Sequence, residues 1–281
     1  MDLCDIRQVE ALLARHGFHF QKSKGQNFLT ASWVPERIAQ CSGADSSCGV
    51  VEIGPGFGCL TEQLSLRAGR VLSYEVDETL RPVLAQTLAG RENIDIVFAD
   101  AMRRDIAADI QEHLAGLRPI LCANLPYNIT SPVLTKMLET RCFESLTVMV
   151  QKEVAERIAA RPGTAQYGAF SILAQWYTEP SLEFEVGAEC FVPRPKVTSA
   201  VVHMKARGEV PAEVDEKAFF RVVRAAFNMR RKTLTNALDG LCGKERAAEA
   251  LRACGLDERV RGEVLSLAEF AALTNEIEKL K

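Results

Sequence analysis

Val50-Val51-Glu52-Ile53-Gly54-Pro55-Gly56-Phe57-Gly58 is the stretch that decides the fold. Four residues of strand character run into a cluster of glycines, and an apolar pattern over 59–66, led by Thr61-Glu62, reads as helix. Glycine lets the backbone turn sharply and come close to a ligand at the positive end of the helix that follows. Outward from this unit the alternation continues. Strands are expected at Val71-Leu72-Ser73-Tyr74-Glu75, Ile94-Asp95-Ile96-Val97-Phe98, Ile120-Leu121-Cys122-Ala123 and over 145–150, with helices over 79–88, 106–114 and 132–138. Such alternation implies an α/β domain with a mostly parallel sheet and right-handed crossovers. Leu182-Glu183-Phe184-Glu185-Val186 and the strand over 199–204, joined by the Pro-rich loop 191–196, are expected to form an antiparallel edge.

The segment ahead of this alternation reads as a helix, an exposed basic loop over 21–26 and a second helix over 35–41. Beyond 208–215, where Gly208 and Pro211 break a polar stretch, only helices are expected: 219–227, 232–238, 244–254 and 267–280. Two domains follow, 1–206 as the α/β domain with its basic N-terminal segment and 207–281 as a small all-helical one.

With 281 residues, 47% hydrophobic and 25% charged, the chain can bury a proper core. Met1-Asp2-Leu3-Cys4-Asp5 has no basic n-region ahead of an apolar one, and no apolar run reaches the roughly 20 residues that span a bilayer. A cytoplasmic protein without membrane contact is expected. The nine cysteines are scattered, with no Cys-x-x-Cys pair, and the four histidines form no ligand pattern, so neither zinc nor a disulfide framework is expected. A net charge of −3 gives no global attraction to nucleic acid. Any RNA contact must then be local, and two acid-free basic stretches exist: 16–24, with Lys22 and Lys24, and 221–232, with Arg230, Arg231 and Lys232.

A dinucleotide loop requires Gly-x-Gly-x-x-Gly, but Cys59 stands at its third glycine and Gly58 comes one residue early. The acid-x-Gly-x-Gly-x-Gly form resembles motif I of the class I S-adenosylmethionine-dependent methyltransferases. Glu75 ends the next strand about 20 residues on, where a carboxylate takes ribose hydroxyls. Asp100 follows the third strand, where a carboxylate accepts from an adenine amine. Three such features at three successive strand ends support one another. A nicotinamide dehydrogenase is disfavoured, since no paired proton-relay His with Arg or Lys is evident.

Asn124-Leu125-Pro126-Tyr127 follows the fourth strand of the alternation. Read alone it can also be a strand-terminating turn. Beside the glycine loop it resembles the Asn/Asp-Pro-Pro-Tyr loop of methyltransferases acting on the exocyclic amine of adenine or cytosine. An aryl amine is a weak nucleophile because its lone pair is delocalised into the ring. Accepting its two hydrogens, by the Asn124 side chain and the Leu125 carbonyl, favours a pyramidal nitrogen. Tyr127 would stack on a base held out of its helix or loop. Positioning then dominates the rate, and no strong general base is needed.

The resemblance extends further. Lys24-Gly25-Gln26-Asn27-Phe28-Leu29, the loops above, Gln151-Lys152-Glu153-Val154-Ala155-Glu156-Arg157, Tyr167-Gly168, Phe191-Val192-Pro193-Arg194-Pro195-Lys196-Val197-Thr198-Ser199 and Phe227-Asn228-Met229-Arg230-Arg231-Lys232-Thr233-Leu234 together resemble the ribosomal RNA adenine dimethyltransferase family, nearest its bacterial small-subunit branch. The resemblance implies a Rossmann-like class I methyltransferase. It would convert two adjacent adenines near the 3′ end of small-subunit (16S) rRNA to N6,N6-dimethyladenosines, on an assembling 30S particle and as a monomer. It implies that Asn27, Leu29, Gly54, Gly56, Glu75, Asp100 and Asn124 line the S-adenosylmethionine site. Asn124, Leu125, Pro126 and Tyr127 would act on the amine, with Phe191 as a second aromatic wall, and Lys22, Lys24, Arg230, Arg231 and Lys232 would hold phosphates. Arg194 departs from the family, which often has Pro there.

The nearest rival is the macrolide-resistance type of large-subunit rRNA methyltransferase, which more often carries Ile at the position of Leu125. A DNA adenine methyltransferase fits less well because Asn-Leu replaces its usual Asp-Pro. A rival of another class is a ribosome-assembly factor whose methylation is incidental. The intact glycine and Asn124 loops speak against lost activity.

Overall fold

The computed structural model describes residues 3–17 and 27–280. The expected basic loop over 21–26, with Lys22 and Lys24, lies outside the described residues. Contacts divide the chain into two compact units. One comprises the residues up to Ala155 together with Thr178–Ala206, and the other Glu156–Tyr177 together with the residues from Arg207 on.

The first unit opens with α1 (Ile6–Arg15), the short strand β1 (Phe28–Leu29) and α2 (Trp33–Cys41). The alternation follows: β2 (Cys48–Ile53), α3 (Cys59–Ser65), β3 (Arg70–Glu75), α4 (Arg81–Thr87), β4 (Ile94–Phe98), α5 (Ile106–His113), β5 (Arg118–Asn124), α6 (Thr130–Thr140) and β6 (Ser145–Gln151). Strands β2, β5 and β6 are apolar and buried almost throughout, as strands covered on both faces by crossover helices must be. After α7 (Lys152–Ile158) and α8 (Ala169–Tyr177), the chain returns through β7 (Thr178–Val186), the two-residue β8 (Phe191–Val192) and β9 (Ser199–Ala206).

The seven-stranded sheet has the order β4-β3-β2-β5-β6-β9-β7. The first five strands are parallel, and β9 and β7 are antiparallel additions at one edge, as expected. Strand order reverses between β2 and β5, so the loops leaving these neighbours diverge and open a crevice at their carboxyl ends. The glycine loop and the Asn124 loop are those two loops. A second, two-stranded sheet pairs β1 with β8 in antiparallel register, Leu29 opposite Phe191.

The second unit departs from the expected boundary. The segment 156–177, expected within the α/β domain, packs with the C-terminal helices. The Trp176 ring stacks on Phe219 at 4.2 Å, and Tyr167 Oη donates to the Leu265 carbonyl at 2.9 Å. Glu216 accepts from Trp176 Nε1 at 3.2 Å and Tyr177 Oη at 2.8 Å. The remaining helices are α9 (Glu216–Asn228), α10 (Leu234–Ala237), α11 (Asp239–Cys242), α12 (Lys244–Ala253) and α13 (Leu267–Lys279). The helix expected over 232–238 starts only at Leu234, with Thr233 at its N-cap, so Arg230, Arg231 and Lys232 occupy the turn between α9 and α10.

Candidate active site

The residues leaving β2, β3, β4 and β5 enclose one cavity at the switch point. Its lining includes Asn27, Leu29, Gly54, Gly56, Glu75, Asp100, Asn124, Leu125, Pro126 and Tyr127, which are the expected cofactor and amine-binding positions except Phe191.

The glycine loop is braced from behind. Glu52, 1% exposed, accepts from Thr61 Oγ1 at 2.7 Å and Ser73 Oγ at 2.6 Å, tying β2 to α3 and to β3. Burial pushes its carboxyl up to about 7, against the lowering effect of these two hydroxyls. Gly56 has φ +58°, and a Cβ there would stand 3.1 Å from the Phe28 ring. That ring stacks on Phe57 at 3.8 Å, so the Asn27–Leu29 segment is pressed onto the loop. Gly58, at φ +91°, is the N-cap of α3, and a Cβ would lie 2.9 Å from the Leu88 side chain.

Glu75 is buried at the end of β3, where Oε1 accepts from the Asp77 amide at 2.8 Å. Burial raises its carboxyl from its ordinary value. Asp100 caps the single 3-10 turn after β4, Oδ1 accepting from the Met102 amide at 2.9 Å, and its side chain is 46% exposed. The arrangement suits an adenosine group: a buried acid for ribose hydroxyls, a partly exposed acid for an amine, and Val76 and Met102 as apolar neighbours. The residues present therefore fit S-adenosylmethionine.

Across the cavity, β5 delivers Asn124. The Leu125 amide donates to the Met149 carbonyl at 3.1 Å. The Pro126 carbonyl accepts from the Ile129 amide at 3.2 Å and from Thr130 Oγ1 at 3.0 Å. These bonds hold the loop at both ends, while among the described residues nothing bonds the Asn124 side-chain oxygen or the Leu125 carbonyl, which leaves both acceptors for a ligand. Tyr127 Oη is hydrogen-bonded to Ser199 Oγ, and burial keeps the phenol protonated.

Phe191 lies apart from the cavity lining. It is 2% exposed, and its ring belongs to the apolar cluster of Leu29, Ile38, Met149 and Val201 rather than to the cavity lining. Pairing of β8 with β1 turns the ring into the core, which leaves Tyr127 as the aromatic ring that the Asn124 loop brings to the cavity. Arg230 is also engaged: its Nε donates to Glu263 Oε2 at 3.1 Å, and its guanidinium also bonds the Ala165 carbonyl. Arg231 and Lys232 are exposed. Phe28, Phe57, Tyr74, Val76, Met102, Ile129 and Val133 line the cavity without having been singled out. Only Phe28 carried a signal, standing between two expected lining residues.

A family model described as ribosomal RNA adenine dimethylase matches residues 17–279. The ribosomal RNA small subunit methyltransferase A of Geobacillus thermodenitrificans (strain NG80-2) is 44% identical over 282 residues, covering 98% of this chain and 96% of that protein. Among solved structures, the 23S rRNA methyltransferase ErmE superposes with a TM-score of 0.70 at 25% identity, covering 90% of this chain and 100% of its own. A dimethyladenosine transferase from Plasmodium falciparum reaches a TM-score of 0.77 at 23% identity, covering 89% and 97%, a likeness of fold. Because the family match runs through the helical unit as well as the crevice, the chain belongs to the ribosomal RNA adenine dimethylase family.

Proposed function

We propose that this chain transfers methyl groups from S-adenosylmethionine to the N6 amine of two adjacent adenines near the 3′ end of small-subunit rRNA, within an assembling 30S particle. The donor supplies a methyl on a cationic sulfur, which leaves as a neutral thioether when the amine nitrogen attacks the methyl carbon.

What the chain supplies is position. The Asn124 side-chain oxygen and the Leu125 carbonyl accept the two amine hydrogens and turn the lone pair toward the donor. Tyr127, fixed by Ser199, stacks on the flipped base, a contact worth roughly 1–3 kcal/mol. The proton released after transfer passes to solvent, consistent with the lack of a carboxylate or His among the loop's own residues 124–127. Glu75 takes the ribose hydroxyls and Asp100 the cofactor's adenine amine. Arg231 and Lys232 contact phosphates, as do Lys22 and Lys24, and the protein acts as a monomer in the cytoplasm. Among the described residues no helix is long and apolar enough to cross a membrane.

The observation that carries this reading is the free pair of acceptors, Asn124 and Leu125, facing the same cavity as Glu75 and Asp100. The test incubates the protein with labelled S-adenosylmethionine and small subunits that lack the modification. Label on small-subunit adenines is expected. Label confined to large subunits or DNA would sink the assignment, the former favouring a specificity like that of ErmE.

A further inference from the structure

Lys136 on α6 has all three ammonium protons committed to one short backbone segment. Its Nζ lies 3.0 Å from the Ala101 carbonyl, 2.8 Å from that of Met102 and 2.7 Å from that of Arg104. No carboxylate pairs with it among the described residues. A lysine on a surface helix ordinarily points its charge to water. Here the charge is spent on three neutral acceptors that converge on it only if the segment is curled around it.

That segment is the turn capped by Asp100, and Asp100, Ala101 and Met102 all line the cavity. The turn is held from its other end too. The Arg104 guanidinium grips the buried carboxylate of Asp109, through Nε at 2.9 Å and a second, shorter bond. Asp109 in turn accepts from Tyr74 Oη at 2.7 Å, and Tyr74 lines the cavity next to Glu75. The helix that carries Lys136 also begins at the amine-gripping loop, where Thr130 Oγ1 donates to the Pro126 carbonyl. One rigid helix therefore touches both sides of the cavity, with about a turn and a half between Thr130 and Lys136.

We propose that Lys136 is a positioning residue for the cofactor's adenosine: by fixing the carbonyls of Ala101, Met102 and Arg104 it sets where Asp100 and Met102 meet the adenine. It touches no reacting atom. The inference rests on the proposed placement of the adenine against Asp100.

The experiment compares wild type with Lys136→Met, Lys136→Arg and Asp100→Ala. It reads KM and kcat for S-adenosylmethionine on unmodified small subunits, and the Kd of S-adenosylhomocysteine and of 5′-methylthioadenosine by calorimetry. Lys136→Met is expected to raise KM about tenfold with kcat within about twofold, the split of a residue acting on donor binding rather than on transfer. Both ligands should weaken by the same factor, because they share the 5′-thioadenosine portion and differ only in the amino-acid tail. Lys136→Arg, which restores a cationic donor set, should recover affinity to within about threefold of wild type. Unchanged KM and Kd in Lys136→Met, even with a lowered Tm, would overturn the proposal, as would a fall in kcat alone. Should Lys136→Met not fold, Lys136→Gln takes its place, and unchanged affinity or a weakening confined to S-adenosylhomocysteine contradicts an adenosine-side role. If Asp100→Ala leaves the 5′-methylthioadenosine Kd unchanged, the adenine placement itself fails. If Asp100→Ala weakens it and Lys136→Met does not, only the role of Lys136 fails.

Discussion

The two walls of the cavity are built to different rules. On the donor wall nearly every polar group is already answered: Glu52 by two hydroxyls, Glu75 and Asp100 by backbone amides, the Ala101, Met102 and Arg104 carbonyls by Lys136. On the amine wall the backbone is anchored at Leu125 and Pro126, yet the two acceptors that matter are left open. A donor that is the same at every turnover repays a prebuilt site, because ordering costs are met once, on folding. The amine must be gripped most strongly as its nitrogen becomes pyramidal, so acceptors already bonded elsewhere would lower the rate.

The largest expected effect falls on the open wall. Asn124→Ala removes one preplaced acceptor and should lower kcat on the order of 10²–10³-fold, or about 3–4 kcal/mol. Binding of S-adenosylhomocysteine, measured by calorimetry, should change less than about threefold. A variant that lost donor affinity while keeping normal turnover would erase the distinction between the walls.

The braced wall is probed by pH. The folded Glu52 carboxyl sits at about 7 against an ordinary 4.5, so the folded protein favours its protonated form. The favourable margin is complete below 4.5 and is lost as pH rises through about 7, a change of about 3 kcal/mol over that window. Glu52→Gln stays neutral and can still accept from Thr61 and Ser73. Denaturant unfolding from pH 5 to 8 should therefore show wild type losing stability relative to the variant. Parallel curves would mean that the carboxylate is better solvated than its burial implies. Glu75, also raised by burial, remains in both proteins and keeps some pH dependence in the variant.

These differences track what was legible in the sequence. The glycine loop, Glu75, Asp100 and Asn124 sit at strand ends, and a strand end is read from a few adjacent residues. All of them reached the cavity. Lys136 carried no local signal, since its acceptors lie 32–35 residues earlier and are backbone carbonyls, which no residue type reveals. The segment 156–177 looked like part of the α/β domain because chain order places it between β6 and β7. Trp176 and Tyr167 find their partners only beyond residue 215. Phe191 shows the same limit: a family motif places the residue, but the pairing of β8 with β1 decides which way its ring points.

That pairing yields a test of moderate size. Phe191→Leu keeps an apolar side chain in the cluster with Ile38 and Met149 and should cost about 1–2 kcal/mol of stability by chemical denaturation. Transfer on small subunits should stay within about threefold of wild type. A loss of a hundredfold or more at unchanged donor affinity would bring the ring out of the core and give the amine wall its second aromatic face.

The smallest effect separates the two halves of Tyr127. Its hydroxyl bonds Ser199, a buried residue at the start of β9, while its ring faces the cavity. Tyr127→Phe keeps the ring and strands the Ser199 hydroxyl, so stability should fall by about 1 kcal/mol. Stacking needs only the π-face, and kcat should fall less than about threefold. Tyr127→Ala removes both and should cost transfer roughly tenfold or more, in line with the loss of one base-stacking contact. If Tyr127→Phe were as inactive as Tyr127→Ala, the tether to Ser199 would be setting the ring's angle, and the amine wall would be as tightly preset as the donor wall opposite it.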